Sequence, residues 1–293
     1  MPEILFLVGD AAQAQNDNHQ RLPEGFRTAG WGVTLLPHDA VRLNRGSVAL
    51  GPYAAERFQL IWVLGFGRWD TFLDRMQLLR LLDQDKFVTA IDALFHLHGK
   101  TAWSAHLPET YAANDPDFLL SILDTGGDWV IKPTAGSFGR EVARIRNDGE
   151  GRAALRRFIG PPPGRYCLLQ RFLPAAANGE KRTLVAGGRI IGSYGRRPAT
   201  DFRANLAAGA AAEPTVLSAD ESGLVQQLAS DLTASGVGFA AIDTVFPQLM
   251  EVNIVNPGGL ATISSLYDRD FTPAVIDALI TARGPRRGKN RLR

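Results

Sequence analysis

Three oxygen-bearing side chains stand within two apolar stretches late in the sequence. Residues 239–246 and 249–255 read as strands of one hairpin that turns near Pro247. Pairing positions whose numbers sum to about 494 sets Asp243 opposite Glu251, a register that a slip of one residue would undo. Glu251 and Asn253 are two positions apart and therefore point to one face of their strand. Asp243, Glu251 and Asn253 then converge, and three oxygen donors suit a hard divalent cation such as Mg²⁺. Mg²⁺ keeps ligand positions open for phosphate oxygens, so a nucleotide triphosphate would end here. The same pattern also fits a half-exposed antiparallel face with ordinary polar residues.

A second stretch runs Val130-Ile-Lys132-Pro-Thr-Ala-Gly136-Ser137-Phe-Gly139-Arg140. A lysine leaving a strand beside a glycine-containing loop can meet phosphates, because glycine lets backbone N–H groups come close to anionic oxygens. It is not the GxxxxGK[ST] loop, and a plain turn is the simpler reading. A third stretch, Tyr194 to Leu206, carries Arg196, Arg197 and Arg203. The arginine fork donates paired hydrogen bonds and stays charged, which suits a carboxyl or phosphoryl group. A solvated loop is the simpler reading of those residues, and Lys181 and Arg182 similarly fit surface charges. The five histidines form no metal constellation: His96 and His98 are two apart, a spacing that diverges on a helix. No GxSxG nucleophile elbow is present.

These residues need elements to hold them. Residues 4–8, 31–36 and 60–64 read as strands, with a turn-rich segment over 38–52 and a helix over 72–82. That rhythm predicts a small N-terminal α/β domain. Residues 91–126 read as largely helical, with a break near 106–108. Strands follow over 129–132, 141–145 and 166–172, with a helix over 149–158 between the last two. A hairpin over 181–186 and 189–194 turns on Gly187-Gly188. Ser218 followed by Glu221 gives a capping-box start to a helix over 218–235, and 271–282 closes the fold as a helix.

Composition bounds the remaining classes. The chain has 293 residues, 45% hydrophobic and 21% charged, and a net charge of +2. Those values exclude a disordered or fibrous protein. Six of the 32 basic residues lie in 283–293, so the body holds 26 bases against 30 acids, a net −4. That balance argues against a nucleic-acid-binding body. The tail reads as a frayed, solvated end, with contact to nucleic acid or an anionic surface as the alternative. Cys167 is the single cysteine. It reads as a buried, inert thiol, forms no intramolecular disulfide and fits a reducing compartment. No run approaches 18 apolar residues and no signal-peptide core precedes residue 9, so a cytoplasmic location without membrane contact is expected.

Taken in order, the motifs resemble the bacterial glutathione synthetase branch of the ATP-grasp superfamily. The resemblance is carried by Val130-Ile-Lys132-Pro, Arg165-Tyr-Cys-Leu-Leu-Gln170-Arg-Phe-Leu-Pro174, Gly179-Glu-Lys-Arg182, Arg196-Arg-Pro198, Arg203-Ala-Asn-Leu-Ala-Ala-Gly209, Ala241-Ile-Asp243 and Glu251-Val-Asn253-Ile-Val-Asn-Pro257. Lys100 through Thr110 also fits, and agreement is weak before residue 60. The resemblance implies an α/β, ATP-grasp fold with an N-terminal open α/β (pre-ATP-grasp) domain. Its implied divisions are 1–95 on the substrate side, 96–168 with the phosphate loop, 169–282 with the metal site, and the basic tail 283–293. It implies an ATP- and Mg²⁺-dependent carboxylate–amine ligase working through an acyl phosphate, with Mn²⁺ as an alternative ion and an oligomeric assembly.

Residue by residue, Lys100 and Lys132 would contact ATP phosphates. Gly136, Ser137 and Gly139 would close over them. Gln170, Arg171, Phe172 and Leu173 would form the adenine-binding linker. Asp243, Glu251 and Asn253 would hold the metal, and Arg196 and Arg203 would stabilise the transferring phosphoryl group. No protein nucleophile is needed for such chemistry. The departures fall on the substrate side. The family's Arg-Lys-Asp-Pro-Pro-like segment reads Gly65-Phe-Gly67-Arg68-Trp69-Asp70 here, and its Thr-Ser-Pro-Thr reads Val255-Asn256-Pro257-Gly258. Phe138 replaces a usual glycine. Ligation of γ-glutamylcysteine with glycine and ligation of a related amino-acid or peptide pair both stay open, with Arg68, Asn205 and Asn256 as substrate candidates. A non-catalytic ATP-binding regulator or scaffold of the same fold is the rival reading.

Overall fold

The computed structural model describes residues 1–9, 16–134, 141–199, 204–206 and 209–282. It opens with β1 (Glu3–Val8), α1 (Asn18–Thr28) and β2 (Gly32–Pro37). A small meander follows: β3 (Val41–Asn44), β4 (Ser47–Leu50) and β5 (Tyr53–Ala54) pair antiparallel. The sequence suggested only turns there, because each strand is too short to display a periodicity. Then come β6 (Leu60–Leu64), α2 (Phe72–Arg80) and α3 (Ile91–His96). Strands β2, β1 and β6 form a parallel sheet in that order.

The middle of the chain holds β7 (Thr110–Ala113), α4 (Pro116–Leu123), β8 (Asp128–Lys132), β9 (Ala143–Arg146), α5 (Gly149–Ile159) and β10 (Cys167–Arg171). These strands make an antiparallel sheet in the order β7-β10-β8-β9. The segment expected to be largely helical thus contains β7, which its pairing with β10 creates. Last come β11 (Glu180–Ala186), β12 (Arg189–Arg197), β13 (Ala211–Pro214), α6 (Ala219–Ala234), β14 (Phe239–Val245), β15 (Gln248–Asn253), α7 (Leu260–Leu266) and α8 (Thr272–Thr281). Their sheet is antiparallel, in the order β13-β12-β11-β14-β15. The expected capping box is present: Ser218 and Glu221 bond reciprocally at the start of α6.

Three cores explain why these layers stay together. Side chains alternate across a strand, and β1, β6 and β14 are buried on both faces. Leu5, Leu7, Ile61, Val63, Ala240 and Ile242 pack with Leu228 and Leu232 of α6. Ile4, Phe6, Leu60, Trp62, Phe239 and Ala241 pack on the other side with Phe26 of α1 and Val275, Ile276 and Leu279 of α8. The parallel sheet and the five-stranded sheet therefore share two cores. The four-stranded sheet has its own, where Trp129, Ile131, Cys167 and Leu169 meet Leu120, Leu123, Leu155 and Phe158. Its opposite face carries Lys132 and Gln170, both nearly fully buried.

The β11–β12 hairpin carries much of the polar site, and its turn leaves little freedom. Gly187 has φ +53° and Gly188 φ +78°. A Cβ on Gly187 would stand 2.2 Å from the Ala278 carbonyl oxygen of α8, whereas on Gly188 the nearest atom would be Thr233 Oγ1 at 3.3 Å. We expect Gly187→Ala to lower unfolding stability by about 2 kcal/mol or more, and Gly188→Ala by about 1 kcal/mol. Urea unfolding of the two variants checks the order; equal losses would refute the backbone clash.

Candidate active site

The five-stranded sheet gathers its charges by register. Arg182 lies opposite both Tyr194 and Asp243, and Asp243 lies opposite Glu251, so one row crosses four strands. The expected pairing holds at the site, with Ala241 opposite Asn253 and Ile242 opposite Val252. Nearer the turn the pairing shifts by one, because Met250 bulges between Leu249 and Glu251. The bulge absorbs the slip before it can move the carboxylates to the wrong face.

Asp243 is only 2% exposed. Arg182 grips it with Nε and Nη2 donating to its two carboxylate oxygens at 2.8 and 2.7 Å. Arg196 Nη2 lies 2.8 Å from the same carboxylate and also pairs with Glu180. Asn253 Nδ2 reaches Asp243 at 3.5 Å. Burial alone would raise the Asp243 carboxyl, but the Arg182 and Arg196 guanidiniums outweigh it and hold it below the usual carboxylate range. Glu180 goes the other way: burial, with Asp243 nearby, raises it against the pull of Arg196. Arg182 is thus a buried ion-pair partner with 14% side-chain exposure and not the surface charge its sequence context suggested.

The four-stranded sheet supplies the opposite wall. Lys132 Nζ donates to Gln170 Oε1 at 2.7 Å, and Gln170 Nε2 donates to Thr110 at 2.8 Å. Burial first, then the charge of Lys100, pushes the Lys132 ammonium down to about 8. The charges of Glu251 and Glu180 act the other way and favour the ammonium. Lys100 joins the two walls: its backbone N–H donates to the Thr134 carbonyl at 3.1 Å and its ammonium to Glu251 at 2.8 Å.

The remaining expected residues separate. Arg171 turns outward, 3.8 Å above the Trp129 ring, and pairs with Glu109. Phe172 packs under the Arg144 guanidinium, and Leu173 begins the next turn. Arg68 is exposed and pairs with Asp70. Asn205 is half-buried. Asn256 accepts hydrogen bonds from Asn16 and from the buried Asn18, which ties α1 to the strand that bears Glu251. Gly136, Ser137, Gly139, Arg203 and the tail lie outside the described residues. Cys167 is buried, with its thiol pushed up to about 12 chiefly by burial. Sequence reasoning missed Arg75 of α2, whose Nη2 donates to the carbonyls of Phe66 and Arg68 at 2.7 Å each. A lone arginine on an amphipathic helix gave no signal for it.

Against this geometry the family comparison is decisive. Residues 98–268 match the model of the prokaryotic glutathione synthetase ATP-grasp domain. The chain belongs to that family. A curated relative, the glutathione synthetase of Prochlorococcus marinus subsp. pastoris, is 32% identical over 183 residues, covering 62% of this chain and 60% of the relative. Among solved structures, a Chryseobacterium gregarium RiPP-associated ATP-grasp ligase in complex with ADP and a leader and core peptide superposes with a TM-score of 0.70 over 100% of both chains at 16% identity. The ATP-grasp ligase PsnB, complexed with a phosphomimetic precursor variant, Mg and ADP, gives 0.70 over 97% of this chain and 99% of its own at 14% identity. These structures establish an ATP-grasp fold across nearly the whole chain. Every described residue of the two walls lies inside the matched family segment.

A metal ion can be tested against the donors present. Among the described residues no three His, Cys, Asp or Glu side chains are grouped so that they alone could hold a metal ion. Two carboxylates and the Asn253 amide do share one face, all with hard oxygens. Glu251 already carries the Lys100 ammonium and both Asp243 oxygens accept from Arg182, so a metal ion would share these carboxylates with bound side-chain cations. The set fits Mg²⁺ in chemistry.

The depressed Lys132 gives a pH test. Between about 8 and its ordinary 10.5 the unfolded chain holds a proton that the folded chain has released. Stability therefore rises with pH across that window, by about 3 kcal/mol, and the cost of burying the charge is constant below it. Subtracting the urea-unfolding stability of Lys132→Met from that of wild type should isolate this slope. A flat difference curve would show that Lys132 is not desolvated.

Proposed function

We propose that the protein is an ATP- and Mg²⁺-dependent carboxylate–amine ligase that acts through an acyl phosphate. The observation that carries this reading is the convergence of Lys100, Lys132, Arg182 and Arg196 with Asp243, Glu251 and Asn253 between two sheets, inside the matched family segment. Residues 1–95 would serve the substrate side, 96–168 and 169–282 the nucleotide, and 283–293 a basic tail. Lys100 and Lys132 bind ATP phosphates, with Gly136, Ser137 and Gly139 over them. Residues 170–173 border the adenine. Asp243, Glu251 and Asn253 hold Mg²⁺, which supplies charge neutralisation at the phosphates when bound.

In the first step the acid's carboxylate oxygen attacks the γ-phosphorus and ADP leaves. In the second the amine nitrogen attacks the acyl carbon, phosphate leaves, and the amine loses a proton. Arg196 and Arg203 offset the negative charge that builds in both steps. Arg196 suits this role because its position is fixed by Glu180 and Asp243, so little reorganisation is required. The acid and amine are amino acids or short peptides, with Arg68, Asn205 and Asn256 as substrate candidates. The peptide in the Chryseobacterium gregarium complex supports that class.

The test is ADP formation from ATP and MgCl₂ with γ-glutamylcysteine and glycine, then with other amino acids and dipeptides, each product identified by mass. Glu251→Ala should lower turnover by at least about 100-fold, the scale of losing one group that stabilises transition-state charge. Turnover unchanged in Glu251→Ala would remove the metal assignment. ATP binding with no acid-dependent ADP across the panel would instead favour a regulator.

A further inference from the structure

The loop that follows β6 stands at the carboxyl end of the parallel sheet. The order β2-β1-β6 reverses direction after β1, and ligands of open α/β sheets bind in the crevice beyond that switch point. Here the loop is aromatic. Phe66 and Trp69 stack at 4.7 Å, Phe72 braces both rings at 5.6 and 5.5 Å, and the Phe95 ring lies parallel to Phe72 at 6.5 Å. His98 closes the group, edge-on to Phe66 at 5.1 Å. Trp69 is 68% exposed, Leu73 56% and Phe95 44%.

Two observations tie this shelf to the site. His98 is two residues before Lys100, whose ammonium rests on Glu251, so the rings begin within one short stretch of chain from the charged walls. The loop is also held in place. The buried Arg75 is fixed by Asp39 and Thr71 and bonds the Phe66 and Arg68 carbonyls. Its Nη1 has no partner and would lie 2.8 Å from a Cβ on Gly67, where φ is +64°. Gly67 is what lets the guanidinium come so close. Burying that charge is costly, and the Asp39 carboxylate and the two loop carbonyls offset the cost only while the loop keeps this shape.

We propose that Trp69, stacked on Phe66 and flanked by Phe72 and Phe95, is a specificity-determining shelf for an aromatic or large apolar side chain of the acid substrate. The inference rests on the ligase reading. Neighbouring Arg68 and Asp70 give the shelf a charged rim, which suits an amino-acid derivative. A second copy of the chain fits less well. The exposed parts of three such side chains offer on the order of 350 Å² at about 150–250 Å² per aromatic residue, below the roughly 800 Å² per partner of a standard interface.

The experiment compares N-acetyl-L-phenylalanine with N-acetylglycine, acids that differ only in the side chain. Binding to the full chain is followed calorimetrically, with and without a non-hydrolysable ATP analogue and MgCl₂. Acid activation is followed separately with hydroxylamine, whose nitrogen attacks the acyl phosphate, releases phosphate and leaves a hydroxamate. The shelf predicts at least ten-fold tighter binding of the phenylalanine derivative. Trp69→Ala should bring it to the N-acetylglycine level, and Trp69→Phe should restore most of it. Trp69 is exposed, so neither variant endangers folding, and Tyr166→Ala, exposed in the four-stranded domain, should change nothing. Tighter binding without hydroxamate would support the shelf and count against the ligase reading. Hydroxamate formed equally from both acids would keep the ligase and overturn the shelf. So would a dimer in sedimentation that Trp69→Ala dissolves.

Discussion

A carboxylate removed from water must be neutralised where it sits, and Asp243 is the point at which this chain meets that demand. With 2% of its surface exposed it is viable as an anion only because two guanidiniums reach it, Arg182 from the adjacent β11 and Arg196 from β12 beyond it. Desolvation of an ion costs several kcal/mol even after relaxation, and removing one partner of such a pair typically costs about 3–5 kcal/mol. The arrangement therefore dictates register. Arg182 and Arg196 must face Asp243 from β11 and β12, because a slip of one residue would turn every charge in the row to the other side of the sheet. Side chains one step along obey the same rule: Lys181 points away from the site and pairs with Glu221 at the start of α6.

The second wall works by a different balance. The four-stranded sheet buries only one face in its own core, so Lys132 and Gln170 are left on the side that faces the charges. Lys132 has no carboxylate of its own. It keeps a proton at neutral pH despite burial, helped by Gln170 Oε1 and by the field of Glu251 and Glu180. Lys100 completes the connection by bonding Thr134 at one end and Glu251 at the other. The two sheets are thus linked through polar groups as well as through chain connectivity, and the layer of α1 is joined to the same place by Asn18 and Asn256.

How far the sequence carried the argument follows from which forces are local. The hairpin of Asp243 and Glu251 was legible because a turn residue and side-chain alternation fix a register between neighbouring strands. The capping box at Ser218 and the Gly187-Gly188 turn were legible for the same reason. The strand of Lys132 was legible from its apolar run. What escaped depends on distant partners. Arg182 looks like any surface base until β11 lies beside β14, about sixty positions away. Strand β7 exists by pairing with β10, and β3 and β4 are too short to show a pattern. Arg75 acquires its role only from the loop folded over it. The residues proposed to hold metal and nucleotide gained their specificity from the order of several motifs, where each alone was compatible with a plain turn or a polar face.

The site's own charges explain why it should be less settled without a ligand than with one. Among the described residues, Lys100, Lys132, Arg182 and Arg196 face Asp243, Glu180 and Glu251: four bases against three acids. The raised Glu180 carboxyl sharpens the excess, because each proton it takes up removes a negative charge from a buried cluster. A low-dielectric cleft with surplus positive charge attracts anions and is strained by its own repulsion. A polyanion such as the proposed nucleotide relieves that repulsion while making hydrogen bonds to the same side chains. Its binding would then raise stability by mass action, beyond what the contacts of any single residue contribute. Under the proposed function, that electrostatic surplus would favour a phosphate at this place.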